Sequence, residues 1–146
     1  MKESEIDESR YKADFMISEN YIKFSSELLR LSLLAIGGFA TLILTKIKDE
    51  SCVNAFPQPI FFVAALISFV VCSAAALCHR YYATDAMSWY ISLLRAESKD
   101  DKLKIEKERI GLHKILRFSR LSLIACEVSF GIGVILFFLA ILNFIY

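Results

Sequence analysis

Residues 60–78 read IFFVAALISFVVCSAAALC, nineteen residues in a row without a formal charge. At about 1.5 Å per residue they form a helix roughly 28 Å long, which matches the hydrocarbon core of a bilayer. Pro57 and Pro59 stand just before the stretch, and His79–Tyr82 supply charge and aromatic rings just after it. The stretch therefore predicts a transmembrane helix with both ends marked.

Two further apolar blocks lie on either side of this stretch. Residues 121–146 carry one formal charge and reach about 39 Å as a helix, enough to span a bilayer with tilt. The apolar run within residues 31–47 is shorter. These residues cross a bilayer only if the side chains of Arg30 and Lys46 extend so that their charges reach the headgroups. The alternative for this block is a buried or re-entrant helix.

The charges indicate an orientation. The chain has 146 residues, 56% of them hydrophobic, and a net charge of +1, which excludes a generally basic nucleic-acid binder. Residues 79–120, however, hold ten Lys and Arg against six Asp and Glu, a regional charge of +4. Because basic residues concentrate on the cytoplasmic side, this segment and the N-terminus are predicted to be cytoplasmic and the C-terminus external.

The predicted fold is an all-α integral membrane protein with three transmembrane helices and a small cytosolic helical bundle, assembled as an oligomer. Its predicted segments are an N-terminal cytosolic amphipathic helix (1–30), a first transmembrane helix (31–47), a short external connection (48–59), a second transmembrane helix (60–78), a cytosolic helical hairpin (79–120) and a third transmembrane helix (121–146). The polar run Ser98–Asp101 is predicted to be the turn of the hairpin.

The basic side chains of the hairpin are candidates for binding a nucleotide or another phosphate-bearing ligand, because arginine and lysine attract and hydrogen-bond phosphates. An alternative is that they only fix the membrane orientation and form surface pairs such as Lys102 with Glu106 and Lys104 with Glu108. The candidates are Arg80, Arg95, Lys99, Lys102, Lys104, Lys107 and Arg109.

Small residues recur in the apolar blocks at spacings that allow two helices to approach closely. Contacts within the chain and contacts between copies are equally compatible with this pattern. The predicted packing residues are Gly37 and Gly38 in the first block and Ala64, Ser68, Cys72 and Ala76 in the second.

Glu127 is the one charged residue inside the third block. A carboxylate in lipid is costly, so we expect it to face water or to pair with a cation. With Ser122 and Ser129 it is a candidate pore-lining residue, and in a symmetric oligomer it would form an acidic ring that favours cations. The alternative is an interfacial carboxylate paired with Arg120 or Arg30.

Catalytic and metal-binding patterns are missing from the sequence. It shows no phosphate loop, nucleophile elbow or HExxH pair, and its four cysteines lack metal-ligand spacing. The sequence predicts no enzyme, no cofactor and no metal site, and it leaves open whether Cys52 forms a disulfide.

The layout resembles a family of known effectors. Tyr11–Phe15 before the first block and His79–Tyr82 after the second resemble the SLATT-type membrane effectors of bacterial nucleotide-signalling defence systems. The third block is similar in layout to the membrane effectors of Hailong-type anti-phage systems. The resemblance implies a nucleotidyltransferase partner, a nucleotide or short oligonucleotide ligand, and depolarisation of the bacterial inner membrane during infection.

The functional hypothesis is an oligomeric ligand-gated channel, or pore-forming effector, in the bacterial inner membrane. A non-conducting membrane scaffold that binds a partner protein through its cytosolic helices is the main alternative. A small transporter component is a third possibility.

Overall fold

The computed structural model describes the backbone of residues 8–48 and 59–145, with side chains for residues 11–41 and 60–142. These residues form three helices, α1 (Glu8–Lys48), α2 (Pro59–Ser98) and α3 (Lys102–Ile145). The described chain is therefore all-helical, as the sequence predicts. Residues 49–58, which hold Cys52 and most of the predicted external connection, lie outside the described residues, as do residues 1–7.

The helices are much longer than a bilayer is thick. Their 41, 40 and 44 residues correspond to about 60–66 Å each. Each helix runs without a break through two predicted segments, so α1 joins residues 8–30 to the first predicted span. We call residues 31–48, 60–78 and 121–145 the apolar half, and residues 8–30, 79–98 and 102–120 the polar half. Two of the helices, α2 and α3, are long and apolar enough to cross a membrane.

The break between α2 and α3 falls where the polar run predicts it. Asp100 adopts a positive φ of 52°, and the Asp101 amide donates back to the Ala96 carbonyl over 3.3 Å, which ends α2. The Asp101 carboxylate then accepts a hydrogen bond from the Lys104 amide at 3.2 Å and caps the first turn of α3. A three-residue connection between long helices makes α2 and α3 an antiparallel hairpin.

In the apolar half, α1 packs into the groove of this hairpin. The ring of Phe39 on α1 contacts the rings of Phe62 and Phe69 on α2 and of Phe137 on α3, with centroids 5.1–6.0 Å apart. Only 4% of Phe39 is exposed. An aromatic cluster thus joins all three helices at the end of the apolar half that is farther from the polar half.

Nearer the middle of the helices the packing uses small and polar residues. Leu28, Cys72, Ala76 and Cys126 form one buried cluster, with the Cys72 and Cys126 sulfur atoms 3.5 Å apart. The hydroxyl groups of Ser32 on α1 and Ser73 on α2 share a buried hydrogen bond of 2.8 Å. The centre of the bundle is filled by side chains at this level.

The predicted packing stripe is only partly buried. Cys72 and Ala76 are completely buried, whereas Ala64 and Ser68 are half-buried beside the buried Ala65. A Cβ atom added at Gly37 or Gly38 would meet nothing within 4 Å among the described residues. Among the described residues these two glycines therefore make no close helix contact, because α1 turns them outward, and a contact between copies stays a prediction.

Close approach through glycine occurs instead on α3. A Cβ atom at Gly133 would lie 3.0 Å from the Phe69 ring, and a Cβ atom at Gly111 would overlap the indole of Trp89. Both contacts join α3 to α2.

Candidate functional site in the polar half

The three helices of the polar half enclose a half-open cleft of about 250 Å³. Its walls are mostly apolar, from Phe15 of α1, Ala83, Ala86 and Met87 of α2, and Leu112 and Leu116 of α3. Asp14 is the one residue with a formal charge among those that line it. The cleft is therefore shaped for a small, largely apolar group and repels anions.

A hydrogen bond between α1 and α2 fixes the rim of this cleft. The Tyr90 hydroxyl donates to Oδ2 of Asp14 over 2.9 Å, and the rings of Tyr11 and Phe15 pack edge-on against the Tyr90 ring at about 6 Å. Burial, and then the neighbouring Asp14 carboxylate, raise the pKa of Tyr90 to about 12. The phenol therefore stays protonated and keeps donating at physiological pH.

His79 lies on the cleft wall next to the apolar half. Only 2% of the residue is exposed, and its Nδ1 has no hydrogen-bond partner among the described residues. Burial lowers the pKa of this imidazole, so the neutral form dominates near pH 7. The sequence predicts an interfacial anchor here, and its burial was not foreseen, because it depends on how the three helices pack around the cleft.

The seven basic candidate residues all lie on the outer surface of the polar half. None of them lines the cleft. Arg95, Lys99, Lys102 and Lys104 lie within ten residues of one another around the α2–α3 turn, which we call the basic tip. Arg80 is fifteen residues before Arg95 on α2, a separation of about 22 Å along the helix. The seven residues therefore do not form one site.

The alternative pairing of these basic residues is also not formed. Neither Lys102 with Glu106 nor Lys104 with Glu108 makes an ion pair within 4 Å in the described part of the chain. The cations of the basic tip are exposed and free to contact an anionic ligand.

Glu127 is exposed on the outside of the bundle rather than in its interior. It borders a shallow depression with Ile17, Tyr21 and Phe24 of α1. Among the described residues it forms no ion pair with Arg30 or Arg120, and Arg30 instead lies 3.6 Å from Glu27. Neither predicted intrachain partner of Glu127 is in place.

The three candidate pore-lining residues do not share one face of α3. Successive residues of a helix are about 100° apart, so Ser129 is about 160° around α3 from Glu127, whereas Ser122 and Ser129 lie within about 20° of each other. Accordingly Ser122 and Ser129 are half-buried and Glu127 is exposed. A single water path along one face of α3 can therefore be lined by Glu127 or by the two serines, but not by all three.

Metal binding has no visible basis in the described residues. Within residues 11–41 and 60–142, no group of three or more histidine, cysteine or acidic side chains converges. Comparison with models of protein families, with curated proteins and with solved structures returns no match. The site must therefore be interpreted from its own chemistry.

Proposed function

We propose that the chain is an integral membrane protein with three transmembrane helices and acts as a subunit of an oligomeric, ligand-gated channel. The observation that carries this proposal is the exposed carboxylate of Glu127 inside the apolar half.

The outer surface of the apolar half favours a lipid environment. The outward faces of α2 and α3 in this half present continuous large apolar side chains, each about half exposed. Such a surface is much larger than the apolar patches that soluble monomers expose, and it suits a hydrocarbon solvent. On α2 this face includes Val63, Ile67, Val70 and Leu77, and on α3 it includes Ile124, Val128, Ile135, Phe138 and Leu142.

The position of α1 supports a third span. Phe39 of α1 packs between Phe62 and Phe137, and Ser32 bonds to Ser73, so this part of α1 runs beside the apolar parts of α2 and α3. If α2 and α3 cross a bilayer, α1 crosses the same layer. Its exposed Leu31, Leu33 and Leu34 agree with that environment.

The depth of Glu127 follows from two helices independently. Glu127 is six residues after Leu121 on α3, about 9 Å into the apolar segment. Its neighbour Cys126 contacts Cys72, which is six residues before the end of the predicted span of α2. With the predicted bounds of the spans in α2 and α3, both counts support a carboxylate within about 9 Å of the membrane boundary, where exposure to lipid is costly. An oligomer that covers Glu127, or gathers several copies around water, removes this cost.

A conducting path must form between copies, because the centre of one bundle is filled by Leu28, Cys72, Ala76 and Cys126. Copies arranged with Glu127 towards a common axis would place a ring of carboxylates in the path and favour cations. This arrangement leaves Ser122 and Ser129 at helix contacts rather than in the pore.

The signal is received at the basic tip in this proposal. An anionic ligand meets four exposed cations there, interspersed with Glu97, Asp100 and Asp101, whereas the one formally charged side chain that lines the cleft is the Asp14 carboxylate. Because α2 and α3 continue unbroken from the tip into the apolar half, a ligand that binds the open and closed states differently changes the pore equilibrium. By the resemblance in layout, the ligand is a nucleotide or short oligonucleotide made by a partner nucleotidyltransferase, and opening depolarises the inner membrane of an infected bacterium.

The test is ion flux through liposomes that contain the purified chain, with and without cyclic nucleotides and short oligonucleotides. We expect ligand-dependent cation flux, reduced in Glu127→Gln and unchanged in the matched control Glu106→Gln, whose carboxylate is exposed in the polar half. Correct insertion is verified by flotation of the protein with the liposomes after an alkaline wash, and folding by protection of the thiols of Cys72 and Cys126.

A non-conducting scaffold gives a different result. The filled core of the single bundle is the observation that favours this second function. Properly inserted protein that passes no ions under any ligand condition contradicts the channel and leaves the scaffold as the better explanation.

A further inference from the structure

Two opposite charges lie at the same depth on different flanks of the bundle. Arg30 is two residues beyond Leu28 on α1, and Glu127 is one residue beyond Cys126 on α3. Leu28 and Cys126 belong to the same buried cluster. Because α1 and α3 run in the same direction, Arg30 and Glu127 differ in depth by only about 1.5 Å.

These two side chains do not meet within one chain. Arg30 lies about 140–160° around α1 from the buried Ser25, Leu28 and Ser32, and three quarters of its side chain is exposed. Glu127 borders the other flank, beside Tyr21 and Phe24. Each charge is therefore presented outward, near the predicted start of the membrane.

We propose that, in the closed channel, Arg30 of one copy pairs with Glu127 of the next copy and that this contact closes the oligomer into a ring, whereas in the open channel the pair is broken and the carboxylate faces the water path. This inference rests on the proposed membrane insertion and the proposed oligomer, and it adds which surface joins one copy to the next. A rotation about an axis along the membrane normal preserves depth, so the arginine of each copy arrives at the level of its neighbour's carboxylate. An antiparallel arrangement would invert the depths and separate the two charges.

The chemistry of the pair suits this place. A guanidinium has five N–H donors, so Arg30 keeps its contact with Glu27 at 3.6 Å while it donates to a second carboxylate. The half-exposed apolar side chains of Ile17, Tyr21 and Phe24 next to Glu127 provide a surface for the flank of the neighbouring α1. Pairing relieves the cost of an unpaired carboxylate in lipid.

The test exchanges charges between different chains. Arg30→Glu leaves two carboxylates in one chain, and Glu127→Arg leaves two cations. Each variant alone should dissociate, needing about a hundredfold higher protein-to-lipid ratio to assemble, because like charges meet at every junction. Co-reconstituted one to one, the two variants form an alternating assembly in which opposite charges meet at every junction of an even-numbered ring and at all but one junction of an odd-numbered ring, and oligomers should return.

The assay is subunit counting by single-molecule photobleaching in bilayers over a range of protein-to-lipid ratios. Lys23→Glu is the matched control, since Lys23 lies on the same face of α1 as Arg30 but about 10 Å lower, where it pairs with Glu19. It should assemble like the unchanged chain. Protection of the Cys72 and Cys126 thiols confirms that each variant is folded.

The outcomes separate this inference from the proposed function. Single variants that assemble normally, or a mixture that stays as dissociated as its components, overturn the Arg30–Glu127 contact. If the unchanged chain still forms conducting oligomers, the channel survives that result. An unchanged chain that stays monomeric at all lipid ratios overturns both.

Discussion

Replacement of Phe39 by alanine should loosen α1 from the hairpin. The Phe39 ring makes three aromatic contacts, with Phe62, Phe69 and Phe137, at centroid distances of 6.0, 6.0 and 5.1 Å. Each aromatic pair is worth about 0.5–1.5 kcal/mol, so their loss should reduce the free energy of unfolding by about 1.5–4.5 kcal/mol. Because apolar burial drives little helix association in lipid, packing contacts of this kind decide whether α1 docks.

The cysteines of the chain provide the assay. Cys72 and Cys126 are completely buried under Leu28 of α1, whereas Cys78 is exposed and serves as the internal control. When the labelling rate follows the fraction of molecules in which the bundle is open, maleimide labelling of Cys72 and Cys126 in lipid micelles should be about ten- to a thousandfold faster in Phe39→Ala. Leu34→Ala, at an outward position of the same helix, should label like the unchanged chain. Equal labelling of the Phe39 and Leu34 variants would refute the proposed docking.

Three other changes test individual contacts. Gly111→Val should lower the free energy of unfolding by about 1–3 kcal/mol, because the new side chain displaces the indole of Trp89. The fluorescence emission of Trp89, the single tryptophan, should shift as well. Gly131→Val, at an open position, should change neither the stability nor the emission. Ser32→Ala should lower the free energy of unfolding by about 0.6 kcal/mol, because the hydrogen bond to Ser73 is lost. Thiol labelling measures this change, and a loss above about 2 kcal/mol would contradict the explanation by a single hydrogen bond. Tyr90, isolated among the six tyrosines as the difference between the absorbance titrations of the unchanged chain and of Tyr90→Phe, should ionise at about pH 12, and Asp14→Asn should lower that pKa. Because the pKa of Tyr90 is raised in the folded state, its contribution to stability is complete below the ordinary tyrosine pKa of about 10 and is lost as the pH rises through 12. Ionisation of Tyr90 near pH 10 in the unchanged chain would contradict the described rim.

The helices were accessible from the sequence because their signals are local. The charge-free run at 60–78 and the polar run Ser98–Asp101 predict α2 and the turn that follows it, and the structure has both. The continuity of α1 through Arg30 was also expected, since nothing at that point breaks a helix. The structure confirms an all-helical chain with two helices that could cross a membrane, while a third span stays a prediction.

The arrangement of the side chains depends on how the helices turn against one another, which sequence spacing does not reveal. Gly37 and Gly38 have the composition of a contact patch but face outward, and Gly133 makes the close contact with Phe69 instead. Glu127 and Ser129 are neighbours in sequence yet lie on different faces of α3. The burial of His79 follows only from the way the three helices pack around the cleft.

The central claim is that this chain conducts ions as an oligomer with Glu127 in the path. It is tested most directly by currents across a planar bilayer under a potassium chloride gradient, in the presence of an activating nucleotide or oligonucleotide. The account predicts a reversal potential on the cation-selective side for the unchanged chain and a clear shift towards zero for Glu127→Gln, because the ring of carboxylates attracts cations. Identical reversal potentials for the two proteins, at equal incorporation, would contradict it.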